Sequence, residues 1–181
     1  MAYLLRFLDI LMVFAILLTT LTAMGHSPFS FGHIQIAIPS FLYVIFCQAF
    51  IMFYFIGTSR LVDNIHSTLS GAGDMDELFD NPPADLDPYK KKVERYVQSS
   101  TLSKRKTIPW TMMMLTLGMI AFFLGGAHDT GMVAKKIHVG VVYGFVLAMT
   151  IGFYRQWIHL GRTHKLLREL KALFEIPDNS M

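Results

Sequence analysis

Four apolar stretches, each about 20 residues long, constrain this chain more than any other feature. They run from about Leu4 to Met24, Ile36 to Ile56, Ile108 to Ala127 and Ile137 to Tyr154. A helix of that length spans the hydrocarbon core of a bilayer, because every backbone polar group is bonded within the segment. Composition agrees: 53% of residues are hydrophobic and only 16% are charged, against about a quarter in a soluble domain. The same numbers exclude a disordered chain, a collagen and a disulfide scaffold, since Cys47 is the only cysteine. The first stretch is longer than the apolar part of a secretory signal, so it reads as a span.

Lys and Arg set the expected orientation. Of sixteen, eight lie in the 58–107 connection, five in the tail from Arg155, and one at Arg6; only Lys135 and Lys136 fall on the other face. Both termini and the long connection are therefore expected in the cytoplasm. The expected location is a bacterial inner membrane. The net charge of +3 is read as membrane topology with affinity for anionic lipid, not as nucleic-acid binding. Arg6 and Asp9 share a helical face and can pair.

Helices are expected to continue beyond the bilayer. The second span extends through Ser59–His66 to about Leu69, and Ser70-Gly71-Ala72-Gly73 ends it. The stretch 74–87 holds six acids, no Lys or Arg, and the breaker Asn81-Pro82-Pro83. Its spacing does not match a calcium loop, because no glycine stands at the sixth position. The acidic half can fold against the basic half or remain solvated. Asp87-Pro88 reads as an N-cap followed by proline at the first helical position. Lys104-Arg105-Lys106 and Trp110 anchor the start of the third span at the headgroups.

The fourth helix is expected to prolong into an amphipathic segment over about 158–176, ended by Pro177, with Gly161 as a candidate hinge. Leu166, Leu167, Leu170, Leu173 and Phe174 form its apolar stripe. That stripe can lie on the membrane, pack on the other cytoplasmic helices, or dock a partner. The fold class is thus all-α: a single polytopic membrane domain, four antiparallel spans in a bundle with cytoplasmic helical extensions.

Gly140, Gly144, Ala148 and Gly152 recur every four residues along the fourth span. Small residues let helix backbones approach closely in lipid, so this is the expected packing interface. The contact is either within the bundle, with another subunit or a second copy, or with a planar cofactor or lipid.

Histidine placement supplies the candidate chemistry. His33, His128 and His138, with Asp129, all fall at the outer face, and these residue types bind copper or zinc. Their spacing is no recognised metal signature. Haem b requires two axial histidines at matching depth, and His66 with His159 inside, or His33 with His138 outside, is the alternative. The second helix also carries a thin polar seam of Gln48, Ser59 and His66. Ordinary interfacial placement accounts for these groups equally well.

No catalytic arrangement is visible: Cys47 has no histidine at its depth, and there is neither a P-loop nor a GxGxxG. Intramembrane ionisable groups are few, which disfavours a pore formed by this chain alone. The leading expectation is a non-catalytic membrane subunit that scaffolds or stabilises a larger respiratory, photosynthetic or metallo-oxygenase complex, or self-assembles. Its partners are the bilayer and other membrane subunits or itself. A haem- or metal-binding electron-transfer or metal-handling protein is the alternative, and a transporter or channel component is the weaker one.

Overall fold

The computed structural model describes residues 1–26, 32–73, 75, 78–79, 83 and 85–174. It is all-α, with helices α1 (Ala2–Ala23), α2 (His33–Ser67), α3 (Asp87–Asp129) and α4 (Lys135–Leu173). All four are long and apolar enough to cross a membrane. The side chains that would meet lipid face outward: Phe7, Phe14, Leu42, Phe53, Phe123 and Leu147 are all exposed.

Named contacts fix the helix directions. Phe41 stacks on Phe122 while Ser59 meets Lys104, so α2 and α3 run in opposite senses. Gly125 lies against His138 while Ser103 bonds His159, so α3 and α4 are also antiparallel. Tyr3 contacts His164, and Arg6 bonds the Trp157 carbonyl, which places the start of α1 beside the lower part of α4. The bundle therefore has a loop end, with the 1–2 and 3–4 connections, and a stalk end, with the N-terminus and the long connection.

At the stalk end α2, α3 and α4 continue without α1. α2 passes into a π-helical turn over Thr68–Ala72, where Gly71 takes φ 94° and Gly73 is extended. A residue with a Cβ resists that left-handed conformation, so the helix stops where the glycines predict. α3 starts at Asp87 with Leu86 as its cap, one residue earlier than expected, and Asp85 Oδ1 accepts from the Asp87 N–H at 3.0 Å. It is one helix of 43 residues, roughly 65 Å long, with Pro109 inside it.

This stalk has its own apolar core. Val62, Ile65 and Leu69 of α2 pack with Val93 of α3 and Leu166, Leu170 and Phe174 of α4. Met75, Leu78 and Phe79 of the connection and Leu86 close over it. The α4 stripe is thus covered within the chain. Leu166 and Leu170 are 5% and 4% exposed and unavailable to a partner, while Leu167 and Leu173 sit half-buried at its edge. α4 is also uninterrupted at Gly161: the Arg6 guanidinium lies where a Cβ would project, so this glycine admits Arg6 and is not a hinge. The Asn81-Pro82 break, most of the acidic stretch, residues 175–176 and the Pro177 stop lie outside the described residues.

Candidate functional site

Between the stalk core and the apolar core of the four-helix section lies a layer of buried polar side chains. α3 supplies Ser100, Ser103, Thr107 and Thr111 at intervals of three or four, which is one face of a helix. α4 supplies Gln156, His159 and Thr163 on a matching face, and α2 supplies Gln48, Thr58 and Ser59. All are less than 9% exposed, and Ser59, Gln48, Thr107 and Gln156 are at 0%. Serine and threonine pass a hydropathy window unnoticed, because their hydroxyls can bond back to the helix carbonyls.

Hydrogen bonds join this layer across helices. Gln156 Nε2 donates to Gln48 Oε1 at 2.6 Å and to Thr111 Oγ1 at 2.8 Å. Gln48 Nε2 reaches the Met12 sulfur at 3.1 Å. Thr107 donates to the Ser103 carbonyl at 2.7 Å, and Ser103 Oγ pairs with His159 Nδ1 at 3.1 Å. Lys104 Nζ donates to Ser59 Oγ at 3.1 Å and brings the layer to the surface, since Lys104 is half-exposed. Burial pushes His159 below the ordinary histidine value, with Arg162, Arg155 and Lys106 acting in the same direction. Of the expected seam of Gln48, Ser59 and His66, Gln48 and Ser59 are buried against polar groups of the neighbouring helices, whereas His66 is only half-buried.

Asp9 lies on α1, one turn from the Met12 that Gln48 touches. It is 0% exposed and neither carboxyl oxygen has a hydrogen-bond partner. The expected pairing with Arg6 does not form. Arg6 instead donates to the Trp157 carbonyl at 3.0 Å and lies over the Trp157 ring at 4.8 Å. A face shared at i and i+3 permits a pair, but the Arg6 side chain turns onto the ring and carbonyl of α4 instead.

At the loop end the structure gathers the predicted histidines. His33 begins α2, His128 is in the last turn of α3, and His138 is in the first turn of α4. The His128 and His138 rings stack with centroids 6.4 Å apart, and His33 and Asp129 both lie within electrostatic reach of His138. Gly125 makes room: a Cβ there would stand 3.2 Å from His138 Cε1. His128 Nδ1 meets the Val133 carbonyl at 3.2 Å, whereas His33 Nδ1 and His138 Nδ1 are buried without a partner. Among the described residues no three His, Cys, Asp or Glu side chains are grouped to hold a metal ion.

The inner haem pair is not brought together. His66 follows Ile65, which packs at the level of Leu166 and Leu170. His159 precedes Leu166 by seven residues, so the two histidines differ in depth by roughly 10 Å. His159 also points at Ser103 of α3, not at α2.

The small-residue stripe divides. Ala148 and Gly152 are buried in the bundle, and a Cβ on Gly152 would stand 2.6 Å from the Met114 side chain. Gly140 and Gly144 face away, with nothing within 4 Å of an added Cβ.

No protein-family model matches the chain, no curated protein is significantly similar to it, and no solved structure matches it.

Proposed function

We propose that the chain is an integral membrane subunit, with both termini in the cytoplasm of a bacterial cell, that braces a larger membrane assembly or a homo-oligomer. The loop-end half of α4 is its contact surface. The observation that supports this reading is the outward face of Gly140 and Gly144. Glycine weakens a helix by about 1 kcal/mol relative to alanine. Within the bundle Gly152 has a use, since Met114 fills its space. Gly140 and Gly144 have no such use in the single chain, and their bare backbone offers a flat strip for a second helix.

Native mass spectrometry of the protein in mild detergent tests this. The expected species is an oligomer or a complex with a co-purifying subunit, and Gly144→Leu releases the monomer without unfolding it. A wild-type protein that is monomeric throughout, with no partner, refutes the reading.

A second reading, metal handling at the loop end, is favoured by the unpartnered Nδ1 atoms of His33 and His138. With no three-residue chelate among the described residues, two histidines would supply part of a copper or zinc coordination shell, and water or a partner the rest. Calorimetric titration with each metal decides it: binding lost in both His33→Ala and His138→Ala supports the site, and no binding to the wild type removes it.

A further inference from the structure

We propose that Asp9 is a proton-binding site: its carboxyl holds a proton inside the bundle and exchanges it with the stalk-end solution. The proposal rests on the membrane placement given above and is independent of protein partners.

The carboxyl has no compensation from the chain. Both oxygens are buried and unbonded, and Asp9 is fully enclosed. The neighbouring cation, Arg6, is committed to Trp157. α1 packs on α2 and α4 but not on α3. From α2, Tyr43 and Cys47 are the titratable side chains near Asp9, and neither supplies a positive charge. A bare carboxylate in such a place is prohibitively costly, so the site must take up a positive charge.

A proton fits better than a metal cation. A sodium or calcium ion needs several oxygen ligands. Among the described residues no group of three His, Cys, Asp or Glu side chains stands ready to supply them. A proton needs only the carboxyl itself. Release breaks the carboxyl O–H bond and leaves its electron pair on oxygen. The proton passes to water of the stalk-end solution, and uptake reverses this.

The stalk end is the nearer opening. Arg6, one turn before Asp9, is only half-buried, and Tyr3 beyond it is exposed. Towards the loop end, Met12, Ile16, Val44, Phe145 and Met149 fill the bundle with apolar side chains.

The full-length protein in liposomes is treated with dicyclohexylcarbodiimide, a lipophilic reagent that converts protonated carboxyls in apolar surroundings to N-acylureas. The adduct is mapped by mass spectrometry. The expected result is modification at Asp9, decreasing as the buffer is made alkaline and absent in Asp9→Asn. Infrared spectroscopy with 13C-labelled aspartate gives a second measurement that needs no variant. It should show a protonated-carboxyl band that shifts on transfer to D2O. An unmodified Asp9 with only ionised carboxylate bands overturns the proposal. So does a band that never shifts in D2O, which would make the proton a fixed structural one. Protection of Asp9 by sodium in proportion to its concentration would also overturn it, in favour of a cation site.

Discussion

Replacing Leu170 by alanine separates an internal role for the α4 stripe from a docking role. Leu170 is 4% exposed in the stalk core, among Val62, Ile65, Leu69 and Val93. The substitution removes three carbons; at about 0.8 kcal/mol per buried methylene this is roughly 2.4 kcal/mol. The cavity left behind raises the cost to about 3 kcal/mol, within the usual range for such truncations. The stalk lies beyond the apolar spans, so its core is held by water exclusion, which is missing between helices inside lipid. A loss of about 3 kcal/mol raises the open population of the stalk roughly 100-fold. Hydrogen exchange measures this: amides of α3 from Val93 to Ser100 should lose about two orders of magnitude of protection. Amides deep in the four-helix section, such as Met114 to Gly118, should change little. Arg168→Ala, at an exposed position of the same helix, is the control. Exchange in α3 that is unchanged by Leu170→Ala, or no different from the control, would refute the internal core. A lost partner with unchanged exchange would restore the stripe as a docking surface.

Gly152→Val should destabilise the bundle by about 1–3 kcal/mol, because the new side chain meets Met114, itself 1% exposed, with nowhere to move. Gly144→Val should stay within about 0.5 kcal/mol of wild type in the monomer; thermal unfolding in detergent compares the two. Acidification should lower the melting temperature. Burial and three nearby cations keep His159 below its ordinary 6.5, so below that pH the unfolded chain takes up a proton that the folded chain refuses. This contribution is complete above pH 6.5 and is lost as the pH falls beneath it. His159→Gln should flatten that part of the profile. Arg6→Leu removes the bond and ring contact to Trp157 and should cost about 2 kcal/mol. It is read as faster exchange in the first two turns of α1.

Much of the architecture was legible in the sequence because it depends on local and compositional rules. The four apolar stretches, the glycine stop after Leu69 and the start of α3 at Asp87 each follow from segment length or backbone preference. The gathering of His33, His128 and His138 also followed, since short connections force three helix ends to one side of the bundle. The buried polar layer did not. Its α3 members are serine and threonine, which carry no charge and scarcely change hydropathy. Spacing every three or four residues was available as a signal, and Ser100, Ser103, Thr107 and Thr111 obey it.

The sequence by itself determined which segments are helical, how many can span a bilayer, and which residues share a face. Tertiary structure alone decided where each face points and at what depth. In an apolar helix nearly every side is hydrophobic, so periodicity cannot fix rotation about the axis. That is why the spacing of the glycine stripe is plain in the sequence, yet only packing against Met114 turned Gly152 inward and left space beside Gly144. Axial offset is equally non-local: the Gln48–Gln156 bond sets α2 against α4 and separates His66 from His159. Asp9 shows the same limit. Its neighbour in sequence is Arg6, but Trp157, far along the chain, takes the guanidinium and leaves the carboxyl alone in the bundle.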